Sequence, residues 1–501
     1  MSKAFSQGLR TSLKFGGWFY PALFILSLVL VVYFFLDYNT AWIHPEAAFR
    51  HLPSLAGEEL AGRGSFIAAV FNPWVFDEIV RARFLSYAFQ AAGLRIRLAL
   101  YAFFPPPPGL SPIALMALAL SPLACYRLFK GIAGRTETAW AGTVLYFLST
   151  GFLSGVFLLF HPAKPLLGLL ALAALIFASR VGSGPGTGKY RGLLLVTLFL
   201  AFTSDESSLV LFLTIPLLFP AVLKIDRTGG SISPRRDRVI GISWYISPLA
   251  LFLFSVTFIV PVITRVLGHG EYNYWQSVFF QSIYPVTERM SERLWNNFQL
   301  GNVLTNTVNL FRAQFTAGPG APSRFLLILF SSLVLPVYLA YSFFRLDRGR
   351  KIIVFRFLAA LAVFLAVETF IQGKHLKVLG SSYYYGSLFP VYFVPPLAIL
   401  LGSGQGRRFW LNRLLVVVLL GIFIHNFIGI NRQWRDMHEN LDFSFPDKSV
   451  MLREMDRGEL SREEIVEIWG MRDDPELLTA ARSRYPRRAI WLFQEMRYLR
   501  R

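Results

Sequence analysis

The chain has 501 residues, of which 54% are hydrophobic, 16% aromatic and only 16% charged. Soluble globular chains carry about 25% charged residues, so this composition excludes an ordinary soluble domain and points to a polytopic membrane protein. The net charge of +20, from 50 Lys and Arg against 30 Asp and Glu, is therefore read first against the positive-inside rule, and nucleic acid drops out as a partner once that rule accounts for it.

Residues 1–16 carry Lys3, Arg10 and Lys14, and a long apolar run follows. No small-residue cleavage site precedes Asp37, and the run is long enough to span, so an uncleaved first helix is expected. About eleven spans are expected along the chain, each needing about 20 apolar residues. They fall near 17–36, 109–126, 139–160, 164–180, 192–204, 207–223, 239–262, 323–344, 352–371, 387–403 and 410–430. The pair around 192–223 is interrupted by "TSDESS". A single helix there would bury Asp205 and Glu206, and a central Asp costs about 2.5–3.5 kcal/mol, so a hairpin with the acids at its tip is expected.

Loop charges orient these spans. With the N-terminus inside, the inner loops carry groups such as Arg127–Lys130–Arg135, Lys189–Arg191, Arg235–Arg236–Arg238 and Arg348–Arg350–Lys351. The short outer loops offer Lys164, Lys374 and Lys377. One orientation satisfies this asymmetry throughout. Three polar regions then lie outside: the loop 37–108, which ends in "FFPPPPGLSP"; the aromatic and Asn-rich segment 263–322; and the tail 431–501. In the tail, "LSREEIVEIW" opens with Ser461 three residues before Glu464, a capping-box pattern for a soluble helix. The fold class expected is thus all-α, a multi-pass protein of the cytoplasmic (inner) membrane, with a membrane domain over 1–430 and a helical tail over 431–501. Cys125 is the only cysteine, so no intramolecular disulfide can form.

Within the first outer loop, "FNPWVFDEIVRARFLSYAFQ" (71–90) sets Asp77 and Glu78 side by side, then Arg81 and Arg83. Phe76, Val80, Phe84 and Tyr87 recur at helical spacing, which predicts an amphipathic helix along the outer membrane surface. Asp77 and Arg81, four apart, can form an ion pair worth a few tenths of a kcal/mol. That pairing is one account of the acids; catalysis is the other. Further outward acids fall at membrane-edge positions, namely Asp205, Glu206 and Glu368, where carboxylates are costly and face a bundle cavity rather than lipid. Outward cations cluster in "GKHLKVLGSSYYYG", with Lys374, His375 and Lys377 ahead of Tyr384. Carboxylates on one loop and cations on another suit deprotonation of a hydroxyl while an anionic leaving group is held.

The remaining motifs are weaker. Asp205 and Glu206 form a candidate second acidic site, of a kind that can take a divalent cation, but no cofactor is required by the sequence. His375 has no partner at metal-ligand spacing, so no zinc site is expected. Tyr384 and its neighbours suit sugar stacking and equally suit a membrane-interface belt. "GSGPGTGK" (182–189) lacks the Gly-Lys-Ser/Thr ending of a phosphate loop and reads as a cytoplasmic linker.

An inner N-terminus, one span, a long outer loop with an acidic pair before "RARFLSY", and about ten further spans resemble the plan of the GT-C membrane glycosyltransferases. Protein O-mannosyltransferases and the aminoarabinose transferase acting on lipid A share that plan. The resemblance covers architecture over 1–430. It implies a polyprenyl-phosphate-linked sugar donor, a lipid, glycan or protein acceptor in the cell envelope, and a catalytic acid in the first outer loop at Asp77 or Glu78. In that scheme Asp77 is general base, Glu78 positions the acceptor, and Lys374, His375, Lys377 with Arg81 or Arg83 hold the phosphate. Attack opposite the leaving group would invert the anomeric centre. The short loop "HPAKP" carries no second acidic pair, and the tail matches no accessory domain of that family. Two other classes fit the span plan, a transporter or flippase of lipid-linked saccharides and a glycan polymerase or ligase.

Overall fold

The structure is a computed structural model that describes residues 19–38, 83–100, 111–147, 163–181, 187–224, 234–267, 335–376 and 388–402, with isolated positions at 67–71, 149–152, 301–307 and 414–421. Among the described residues about 92% are helical and none lies in a strand, so the all-α class holds. The helices are α1 (Phe19–Tyr38), α2 (Phe84–Leu100), α3 (Pro112–Ala133), α4 (Thr136–Phe147), α5 (Ala163–Arg180), α6 (Thr187–Phe202) and α7 (Leu209–Leu218). They continue with α8 (Pro234–Phe254), α9 (Val260–Val266), α10 (Leu335–Phe344), α11 (Arg348–Leu376) and α12 (Phe389–Leu401). A wide π-type turn, Ser255–Ile259, joins α8 to α9 without breaking the rod.

Four described stretches are long and apolar enough to cross a membrane: Pro112–Ala133, Ala163–Arg180, Asp237–Val266 and Arg348–Thr369. Each lies in a span expected from the sequence. Helices α1, α4, α6, α7, α10 and α12 overlap parts of six more of the expected stretches, and over 410–430 only isolated helical positions are described. The α8–α9 rod is the least enclosed of the four, showing Trp244, Phe254, Phe258 and Val262 on its outer side. A helix apolar all round yet half uncovered is what lipid contact requires.

Local chemistry explains the element ends. Ser111 caps α3 by accepting from the Ala114 amide at 3.3 Å, and Pro112 occupies the first turn, where its missing N–H costs nothing. The helix stops at Gly134, whose positive φ of 70° lets its N–H reach the Lys130 carbonyl. Asp347 opens α11 in the same manner, accepting from the Arg350 amide at 2.9 Å. Between helices the packing relies on small residues. Ala114, Ala117, Ser121 and Cys125 share one buried face of α3, and Ala171, Ala174 and Ala178 line one face of α5, its close neighbour. Lipid tails give no hydrophobic drive for helix association, so close van der Waals approach over small side chains replaces it. Hydroxyls inside the bundle close onto their own helix, as Thr143 does on the Ala139 carbonyl at 2.7 Å, or across helices, as Thr214 does with Tyr392 at 2.8 Å.

Contacts at helix ends fix the directions of neighbours. Arg180 at the end of α5 lies over the Tyr190 ring near the start of α6. Arg135 donates to the Gly402 carbonyl after α12, Arg191 to the Lys224 carbonyl, and Arg356 to the Leu218 carbonyl at the end of α7. These arginine-rich ends are the ones the loop charges assign to the inner side. The opposite ends of α5, α6, α7 and α11, together with the start of α2, meet in a different kind of structure, a buried ionic cluster.

One close approach near the basic end is testable. A Cβ added to Gly241 of α8 would sit 2.2 Å from the Leu223 carbonyl oxygen, and backbone cannot swing aside. Gly241→Ala is expected to destabilise the folded chain by about 1–3 kcal/mol, read as a lower melting midpoint in detergent. An unchanged midpoint would show that α8 does not press on the 220–223 turn.

Candidate functional site

The turn between α6 and α7 builds the centre of the cluster. Ser204 and Thr203 bond back to Leu200, ending α6. Asp205 then folds over the next turn, one carboxylate oxygen (Oδ1) accepting from the Ser207 amide at 2.9 Å, and its carbonyl accepting from the Ser208 amide. Asx turns of this kind exist because a short carboxylate reaches a backbone N–H two residues on. The same Oδ1 accepts from Lys164 Nζ at 3.0 Å, and that ammonium also donates to Ser207 Oγ at 3.3 Å. From the other side Arg83 Nη2 lies 3.3 Å from Asp205 Oδ2. Arg83 is held in place because α2 begins beside it and the Leu85 amide donates to the Thr203 carbonyl at 3.0 Å.

All of this is enclosed. Asp205 is 0% exposed, Lys164 2% and Arg83 4%. Burial by itself opposes the Asp205 charge, yet Arg83 and Lys164, with the Ser207 amide, outweigh it and hold the carboxyl well below the usual carboxylate range. Asp205 is therefore an anion fixed between two cations rather than a proton acceptor. A divalent cation at this carboxylate would meet both positive groups, so the geometry gives the Asp205 half of the expected acidic site an ion-pairing role instead. Among the described residues no group of three or more His, Cys, Asp or Glu gathers.

A fourth charge completes the cluster. Glu368, near the end of α11, is 0% exposed, and neither of its oxygens has a hydrogen-bond partner among the described residues. It interacts electrostatically with Lys164 and Asp205, and the Ser207 hydroxyl faces it without closing to hydrogen-bond geometry. Hydroxyls of Ser86, Ser208 and Thr369, on three of the same elements, are likewise buried without a described partner. Buried polar atoms without a partner are few in native interiors, so each of these calls for an explanation.

Compared with protein-family models, curated proteins and solved structures, the chain matches none. The site has to be read from its own residues. Of those singled out in the sequence, Arg83 and Asp205 come together, and Glu368 joins them. Arg83, one of the cations expected to hold a phosphate, lies 3.3 Å from Asp205 inside the bundle. The backbone of Glu206 lies in the short 3₁₀ turn Glu206–Ser208, and Lys374 and His375 lie in the last turns of α11. The side chains of these three, and all of Asp77, Glu78, Arg81, Lys377 and Tyr384, lie outside the described residues.

Lys164 is the member whose role sequence reasoning missed, because "HPAKP" reads as an ordinary charged loop. One signal was present. A cation in the first turn of a helix opposes the helix dipole, which favours anions there. A lysine at the start of the apolar helix α5 therefore implied a nearby counter-charge.

Proposed function

We propose that the chain is a membrane glycosyltransferase that moves a sugar from a polyprenyl-phosphate donor to a hydroxyl of a lipid, glycan or protein acceptor at the outer face of the cytoplasmic membrane. The observation that carries this reading is the anchoring of Arg83. Its ion pair with Asp205 and the Leu85–Thr203 bond tie the start of α2 to the helix ends that the loop charges place outside. Asp77 is six residues upstream, and covalent reach alone keeps it within about 20 Å of Arg83. The reading takes the acidic pair to work near the membrane end where a lipid-linked donor presents its phosphate.

In this mechanism Asp77 removes the proton from the acceptor hydroxyl as that oxygen forms a bond to the anomeric carbon. The anomeric C–O bond breaks on the opposite face, and polyprenyl phosphate leaves with the bonding pair, inverting the centre. Glu78 orients the acceptor. Arg81, Lys374, His375 and Lys377 stabilise the phosphate charge, with Arg83 committed to positioning through Asp205.

A second reading rests on the buried charges. Ionisable side chains inside bundles mark ion and substrate paths in transporters, and Glu368 is such a side chain. Purified chain in proteoliposomes separates the two. Supplied with a polyprenyl-phosphate-linked sugar and an acceptor, a transferase yields a new glycoside and free polyprenyl phosphate. A transporter relocates the intact donor between leaflets and releases nothing, and that result would replace the first reading with the second.

A further inference from the structure

We propose that the first turn of α2 is an ionic plug, seated in a socket that belongs to the bundle and able to leave it while the bundle stays folded. The inference is independent of the sugar-transfer reading. It stands first on how the two oxygens of Asp205 are used. Oδ1 takes two hydrogen bonds, from Lys164 Nζ at 3.0 Å and from the Ser207 amide at 2.9 Å, and Lys164 also donates to Ser207 Oγ at 3.3 Å. That triangle ties α5 to the turn between α6 and α7. Oδ2 faces Arg83 Nη2 at 3.3 Å, yet it is buried without a hydrogen-bond partner, so the contact between them is one of charge. Charge-assisted hydrogen bonds are the strong ones, and at Asp205 they lie on the Lys164 side.

Charge counting makes the dependence one-way. Lys164 and Asp205 pair one cation with one anion, both on elements of the bundle. Take Arg83 away, and Asp205 keeps Lys164 and the Ser207 amide. Take the socket away, and Arg83, enclosed at the start of α2, loses the anion it faces. Losing one member of a buried pair is costly to the member left behind, and here that cost falls on α2 and not on the bundle. The rest of the seat is light. α2 carries Gln90, Arg95 and Arg97 and is not among the helices apolar enough to cross a membrane. Its Leu85 amide donates to the Thr203 carbonyl at 3.0 Å, Ser86 and Tyr87 are buried, and at Gly93 it passes close to Ser111 ahead of α3. Among the described residues it packs against α3 more lightly than α5 does. Elements held by few buried contacts are those that open locally while the remainder stays folded.

Thiol labelling of the full chain in detergent tests this, and the chain supplies its own control. Cys125, its one cysteine, is fully buried in α3 and should react with a water-soluble maleimide only when the bundle opens. Ser86→Cys puts a second thiol in the first turn of α2, at a residue equally buried whose hydroxyl has no hydrogen-bond partner among the described residues to lose. With Arg83 in place both thiols should be protected. Adding Arg83→Gln should speed labelling at position 86 by about tenfold or more while Cys125 stays protected. Adding Arg83→Lys should keep position 86 protected, because a contact of charge does not need the guanidinium fork. Hydrogen exchange on chains without the added thiol gives the same answer. There the Leu85 and Tyr87 amides, bonded to the Thr203 and Arg83 carbonyls, should exchange faster in Arg83→Gln, and those of α3 and α5 should not change. Protection at position 86 in Arg83→Gln, equal labelling in Arg83→Gln and Arg83→Lys, labelling of Cys125 in step with position 86, or an Arg83→Gln chain that no longer folds would each overturn the proposal.

Discussion

Replacing Asp205 with alanine is expected to destabilise the chain by about 3–5 kcal/mol, the cost of leaving buried charge without its partner. The reason is local and countable. Asp205 is the anion to which both Arg83 and Lys164 are paired, at 3.3 and 3.0 Å, and all three are enclosed. Removing the carboxylate takes away the anion that both cations face and frees the Ser207 amide from its acceptor. The result should appear as a sharply lower melting midpoint, or no monodisperse peak, on size-exclusion in detergent. Charge is the cause only if the loss is non-additive, so Asp205→Ala combined with Lys164→Met should be less damaging than the sum of the two single changes. A single variant that melts like the wild type would remove the cluster from any structural role. Acid should not substitute for the mutation. The folded Asp205 carboxyl is held below its ordinary 3.8, so its stabilisation is present above that value and fades only as pH falls toward the lowered folded value. Any change in behaviour between about pH 5 and 9 then belongs to another group.

The second large effect is on turnover. Asp77→Asn is expected to lower glycosyl transfer by about 10²–10⁴-fold, the usual worth of a general base, while membrane insertion and melting stay as they were. If Asp77 serves only as the surface partner of Arg81, the same variant would cost a few tenths of a kcal/mol of stability and no activity. These outcomes are far enough apart that one transfer assay beside one melting curve decides between them. Near-normal transfer would take Asp77 out of the mechanism.

Much of the architecture was legible because it follows from one-dimensional chemistry. Apolar runs of about twenty residues are a local property, and the observed helices follow them; the caps at Ser111 and Asp347 and the stop at Gly134 are equally local but were not singled out in the sequence. At the arginine-rich ends, Arg135 reaches the Gly402 carbonyl and Arg191 the Lys224 carbonyl, joining ends that loop counting expects on one side. The limits of reading were of two kinds. The expected helix over 71–90 is described only from Phe84, because the stretch carrying the acidic pair lies outside the described residues. The cluster itself was invisible for a different reason. Lys164 and Asp205 are 41 residues apart, and Glu368 stands 163 residues beyond Asp205.

By itself the sequence determined the solvent this protein lives in, the approximate positions of its helices and which ends carry the positive charge. Each of those depends on transfer free energies and short-range hydrogen bonds that neighbouring residues settle among themselves. Only the tertiary structure decided which charges are enclosed together. Pairing a helix-start lysine with a turn aspartate and an arginine before α2 depends on how the ends of α5, α6, α7 and α2 converge. At those short distances in a water-poor interior, Coulomb energies become large enough to hold Asp205 as an anion between Arg83 and Lys164.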